Sequence, residues 1–226
     1  MQANRQQGKL NAVSLRPFVC AFACCLLPVA ANAQTFFAQL IASWDSRSFA
    51  GASHYEQVKD NRGNTYLKAS CQAGNASALY RDQSLDITTD SALSWTWRLP
   101  SALPNNPQEL QQQGDDFSAR LYVVVKRGFL NLNTVAINYV WSSNQPIGAS
   151  WSNPFTEQAM MVVVANTTTP VGQWQTEHRN IRADFNRFFD IDISTIDGLA
   201  IMVDCDNYGV NREFHLRRIT LSDTVQ

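Results

Sequence analysis

The segment SALSWTWRLP, residues 91–100, sets Leu93, Trp95, Trp97 and Leu99 on one side of an extended chain and Ser94, Thr96 and Arg98 on the other. Alternation with period two marks a strand with two different faces. HYEQVKD (54–60) and TYLKASCQ (65–72) flank NRGN, a turn-rich link that predicts a hairpin. FSARLYVVVKRG (117–128), NTVAINYVWS (133–142), AMMVVVAN (159–166), DGLAIMVDC (197–205) and EFHLRRITLS (213–222) continue the series. Most are rich in β-branched and aromatic residues and end in Gly, Asn, Pro or Asp. About nine strands spaced in this way predict an all-β fold, a β-sandwich or jelly roll.

Two segments break the pattern. SALPNNPQELQQQGDD (101–116) is a long polar connection, and a loop of that length is usually functional or mobile. IRADFNRFFD (181–190) carries Ile181, Phe185, Phe188 and Phe189 in a helical stripe. It predicts one short amphipathic helix packed across an end of the sandwich.

The N-terminus bears Arg5, Lys9 and Arg16 and has no acidic residue before Asp45. PFVCAFACCLLPVAA follows, and it closes on the small-x-small pattern Ala31-Asn32-Ala33. This predicts a secretory signal peptide over residues 1–33, cleaved after Ala33. It is too short for a membrane span, which takes about 20 apolar residues, and no later segment is long and apolar enough to span. The expected product is a single domain over 34–226, periplasmic or secreted. Cleavage takes three of the 18 basic residues and none of the 19 acidic ones, which leaves a net charge of −4. A balance of that sign, without basic patches, speaks against a nucleic-acid binder. Cys71 and Cys205 are the two cysteines that remain. In an oxidising compartment they form either one disulfide or two buried thiols.

Carboxylates stand at the ends of two apolar runs. Alternation along 199–207 groups Leu199, Ile201, Val203 and Cys205 on one face and Met202, Asp204 and Asp206 on the other. Counting from Asp116 groups Asp116, Ser118, Arg120 and Tyr122. Strands of one sheet would bring Asp115, Asp116, Arg120, Asp204, Asp206 and Asn207 together. From NTVAINYVWS either Asn138 or Trp141 joins them, since the two fall on opposite faces. Planar carboxylate, amide and guanidinium groups beside an aromatic ring are what a sugar requires. The structural alternative is that aspartates at strand ends cap turns and an Asp–Arg pair ties the fold.

Two further chemistries draw on the same residues. Asp204 and Asp206, helped by Asp115 or Asp116, offer hard oxygen ligands for Ca²⁺, without the spacing of an EF-hand loop. Glycoside cleavage would use Asp116 with Asp204 or Asp206 as acid and base across a sugar bond. No other cofactor is implied. His54, His178 and His215 lie in dissimilar segments, and the sequence has no Gly-x-Ser-x-Gly elbow, phosphate-cradling glycine loop or Cys-x-x-Cys.

The ordered set SWTWRLP, GDDFSARLYVVV, AINYVWSS, QWQTEHRNIRADFNRFFD and GLAIMVDCDNYG resembles the bacterial DUF3047 family of exported proteins, from about Trp44 to the C-terminus. The resemblance implies a β-sandwich similar to galactose-binding-like and carbohydrate-binding modules, and a likeness of fold does not fix function. Members typically read Asp-Thr-Asp-Asn-Thr where this chain has Asp204, Cys205, Asp206, Asn207 and Tyr208, and carry a small residue near Cys71. Two cysteines departing together imply a disulfide between neighbouring strands, and neither as a nucleophile.

The leading expectation is therefore an exported, noncatalytic binder of a glycan or other polar envelope ligand. The alternatives are a glycan-cleaving enzyme using the paired aspartates, and an envelope scaffolding protein with a protein partner.

Overall fold

The computed structural model describes residues 33–128 and 133–223, together with Met1 and Gln2. Apart from Met1, Gln2 and Ala33, the signal peptide expected over 1–33 lies outside the described residues. Among the described residues thirteen strands form two sheets. One sheet runs β11 (Gln175–Arg179), β6 (Ala92–Arg98), β13 (Arg212–Ser222), β4 (Thr65–Cys71), β3 (His54–Lys59), with β1 (Ala33–Phe37) also on β13. The other runs β2 (Asp45–Ala50), β5 (Ala76–Asp86), β12 (Thr195–Asp204), β7 (Arg120–Val125), β8 (Val135–Trp141), β10 (Thr156–Ala165), β9 (Ser150–Asn153). The fold is all-β, two sheets packed face to face, as the alternating segments predict.

Alternation decides which side chains meet between the sheets. Leu93, Trp95 and Trp97 of β6 face Leu121 and Val123 of β7, Tyr139 and Trp141 of β8, and Ile201 of β12 across one core. Its centre is aromatic. The Trp95 ring stands 5.2 Å from Tyr139 and the Trp97 ring 5.8 Å from Trp141, which keys the two sheets together. Such pairs add about 0.5–1.5 kcal/mol beyond their buried area.

The expected helix is α2 (Ile181–Phe189), with Ile181 and Phe185 buried. Asn180 caps it by accepting the Ala183 N–H at 2.9 Å, a contact that satisfies a donor otherwise orphaned in the first turn. Tyr139 donates to Asp184 on the helix at 2.7 Å. A single helical turn, α1 (Ala38–Ile41), was not apparent in the sequence.

Five strands escape the expectation of about nine, namely β1, β2, β5, β9 and β11. The 101–116 connection is also better anchored than its composition suggests. Glu109 is 1% exposed. Its carboxylate accepts from the backbone N–H groups of Ser143 (2.9 Å), Asn144 (3.1 Å) and Gln145 (3.0 Å) and from the hydroxyls of Ser142 and Ser143. One buried acid thus fixes the long loop to the turn that leaves β8.

Candidate ligand-binding pocket

Period two leaves Arg120 and Tyr122 of β7, Asn138 of β8 and Met202 and Asp204 of β12 on the outer face of the seven-stranded sheet. Registers Arg120↔Met202 and Tyr122↔Asn138 bring them side by side. A pocket of about 340 Å³ opens there, lined by Asp115, Arg120, Asn138, Asp204, Asp206 and Asn207. Six of the eight residues expected from the sequence therefore converge.

Arg120 organises the site. Its Nε donates to Asp204 Oδ1 at 3.1 Å, its Nη2 to Asp204 Oδ2 and the Asp115 carbonyl, and its Nη1 to Asp115 Oδ2 at 3.4 Å. The guanidinium also lies 4.7 Å from the centre of the Phe117 ring. Asp204 Oδ1 accepts the Phe117 N–H at 2.9 Å, tying the entry of β7 to the end of β12. Fork-to-carboxylate geometry fixes orientation as well as distance.

The two remaining expectations are corrected. Trp141 is 1% exposed and belongs to the core, where it packs on Trp97 and donates its indole N–H to the Asn166 carbonyl at 3.1 Å. Asn138 is the β8 residue that faces the pocket. Asp116 does not line the pocket either. Its carboxylate accepts backbone N–H groups from Asn207 (2.9 Å), Tyr208 (2.7 Å) and Gly209 (3.1 Å). Three such donors make it a turn anchor. Ser118 does not join Arg120, because β7 begins only at Arg120 and Ser118 lines a different cavity, whereas the Asp116 carboxylate still lies close to those of Asp204 and Asp206.

Two acceptors at the pocket lack donors. Asp115 is 4% exposed and Asn138 is 1% exposed, and Oδ1 of each makes no hydrogen bond within the protein. Asp115 spends its other oxygen on Arg120 and on Asn153 Nδ2, 3.2 Å away. An unsatisfied buried acceptor costs about 1–3 kcal/mol. Sequence reasoning missed Asn153, and also Phe49 and Phe155, which line the same pocket and are each 57% exposed. Phe155 follows Asn-Pro in a turn between β9 and β10, a setting for a large apolar residue that could have drawn notice.

Oxygens of Asp116, Asp204 and Asp206 lie within 4.8 Å of one another, the arrangement that suggested Ca²⁺. Asp116 and Asp204 already direct their oxygens at N–H and guanidinium donors. Only Asp206 has a carboxylate largely free of such bonds. As an acid–base pair the three suffer the same constraint.

Burial pushes the Asp204 carboxyl up to about 7, against the pull of Arg120 and with the push of Asp115. Burial raises Asp115 and Asp206 as well. A carboxyl whose folded pKa exceeds its unfolded value, about 3.9, stabilises the fold fully below that value and loses the contribution as pH rises through the folded one. Asp204 alone should therefore lower the free energy of unfolding by about 1 kcal/mol between pH 6.5 and 8. That window lies above the one for His215, whose pKa burial depresses. Urea midpoints across the range measure the effect, and a midpoint that climbs with pH would contradict it.

Three solved structures align along most of this chain. The glycoside hydrolase domain of Endo-D from Streptococcus pneumoniae aligns over 81% of this chain and 22% of its own, at 12% identity and a TM-score of 0.41. Winged bean acidic lectin, solved with methyl-α-D-galactose, aligns over 84% of this chain and 98% of its own, at 9% identity and a TM-score of 0.38. The xylan-binding module CBM86 of Roseburia intestinalis aligns over 84% and 94%, at 11% and 0.32. The chain thus spans about a fifth of the Endo-D domain's length, and no likeness at these scores bears on the ligand. No curated protein matches the sequence. The family described as "protein of unknown function (DUF3047)" matches residues 42–220, and the chain belongs to that family.

Proposed function

We propose that this protein is an exported, noncatalytic binder of a glycan or similar hydroxyl-rich ligand, held in the outer-face pocket. The carrying observation is that two residues lining that pocket, Asp115 and Asn138, each hold a buried acceptor oxygen without a donor. Ligand hydroxyls are donors of the right kind. Phe49 and Phe155 at the rim, with Tyr122, supply the apolar surfaces on which a sugar ring packs. A second cavity of about 360 Å³ shares Phe49 and Tyr122 and continues along the sheet beside Tyr80, Arg47 and Lys126. Two neighbouring cavities with shared lining residues favour a chain of sugars over a single one.

Binding is preferred to cleavage because the carboxylates a glycosidase would need are committed to Arg120 and to backbone donors. Export is supported by the basic, apolar, small-residue leader and by an oxidised cysteine pair. It implies the periplasm or the exterior, with cleavage after Ala33 starting the mature chain within β1. Among the described residues no helix is long and apolar enough to cross a membrane, which says nothing of a β-barrel.

Affinity electrophoresis on a panel of bacterial and plant polysaccharides tests the reading, with reducing ends scored in parallel. Phe49→Ala and Phe155→Ala, both at exposed positions, should each weaken binding about tenfold, equivalent to ~1.4 kcal/mol, and leave melting almost unchanged. Silence across the panel, or variants that bind like the parent, would remove glycan binding. New reducing ends would turn the site into a catalytic one.

A further inference from the structure

Arg212 opens β13 opposite Cys71 of β4 and is 5% exposed. It contrasts with Arg120, whose Nε and both Nη groups are bonded. Nε and Nη2 of Arg212 make no hydrogen bond, and among the described residues no ion pair includes it. Asp116 and Asp204 exert an attraction from a distance, but burial dominates and draws its pKa down. A buried charge with no partner is costly, and native folds normally supply a counter-charge.

The surroundings show what kind of counter-charge would fit. Arg212 borders a cavity of about 520 Å³ whose wall includes Ser70, Asn75, Ser101, Ser118 and Asn211. These hydroxyls and amides can all donate hydrogen bonds. The one carboxylate on the wall, Glu213, is engaged with His215 at 2.8 Å and lies 3.9 Å from Lys68. The cavity shares no lining residue with the outer-face pocket.

We propose that this cavity is a second binding site, for an oxyanion group (carboxylate, sulfate or phosphate) received by the Arg212 guanidinium and the hydroxyl and amide groups around it. A planar guanidinium receives two oxygens of such a group side by side. The site does not depend on glycan binding in the other pocket.

Thermal unfolding of the purified protein in sodium sulfate, sodium phosphate and sodium glucuronate, each against sodium chloride at equal ionic strength, tests the proposal. A saturable rise of roughly 3–5 °C is expected at about tenfold the dissociation constant. Arg212→Gln should lose the saturable part and keep only the linear rise that excluded salts give every protein. A response to glucuronate alone identifies a sugar acid, and a response to all three identifies a general oxyanion site. Identical responses in parent and variant would overturn the proposal. If Arg212→Gln does not fold, the ¹⁵N-resolved Arg212 Nε–H resonance of the parent decides. A saturable shift with the same salts supports the site, and an unmoved resonance refutes it.

Discussion

Arg120→Met is expected to lower the free energy of unfolding by about 3–5 kcal/mol, because it strands buried acceptors and charges in place. Arg120 and Asp204 are each 2% exposed. Without the guanidinium, the Asp204 carboxylate keeps only the Phe117 N–H, and the Asp115 carboxylate only Asn153, among the described residues. The stranded Asp204 should then bind a proton even more firmly than it does beside Arg120, so the variant's stability should fall more steeply as pH rises toward neutrality. Removing both partners in Arg120→Met/Asp204→Leu should recover much of the loss, since an apolar replacement of a buried pair is often neutral. Urea denaturation of the two singles and the double closes the cycle. A loss below about 1 kcal/mol in the single variant would mean that the pair is not what holds β7 to β12.

The disulfide carries the second large effect. Cys71 closes β4 in the six-stranded sheet and Cys205 follows β12 in the seven-stranded one, with 5.9 Å between their Cα atoms. It therefore joins facing sheets, where the family resemblance implied neighbouring strands. The bond spans 134 residues of sequence, and closing a loop of that size stabilises by about 5 kcal/mol on the chain-entropy view. Cys71→Ala/Cys205→Ala should lose most of that. Dithiothreitol should lower the midpoint of the parent by a similar amount and leave the double variant where it is. A parent indifferent to reductant would contradict the bridge.

Much of the site was legible because period two survives in Arg120-Leu121-Tyr122-Val123 and in Ile201-Met202-Val203-Asp204. Each run has one apolar face and one mixed face, so the polar members could be grouped before any strand was placed. β8 offered no such contrast. Ile137, Asn138, Tyr139, Val140 and Trp141 are all buried, so either face could have met the ligand. The choice is made by Trp95 and Trp97, which arrive from the other sheet and take Tyr139 and Trp141 as partners. The role of Asp116 was hidden for a similar reason, since its three donors lie 91 to 93 residues away in sequence.

The strand that escaped notice most plainly is β5. ASALYRDQSLD contains no β-branched residue, and only Leu79 and Leu85 reach the main core from it. Its extended form comes from pairing with β12 along almost its whole length and with β2 on the other side. Propensity is weak evidence where neighbours supply the ladder. Glu109 and Arg212 could not be singled out at all. One is a buried acid satisfied by a distant turn and the other a buried base left without a partner, and sequence shows neither burial nor partnership.

The most direct test of glycan binding follows the Asn138 side-chain amide by NMR while a polysaccharide from the panel is added. Asn138 lines the pocket, donates this amide to Met161 Sδ at 3.3 Å, and has a buried oxygen that makes no hydrogen bond within the protein. Binding predicts a saturable shift of the Asn138 amide, shared by Asn153 and by backbone signals of Asp206 and Asn207, with one dissociation constant for all. Shifts confined to other surfaces, or an Asn138 amide unmoved at saturating polysaccharide, would contradict a ligand site on this face of the sheet.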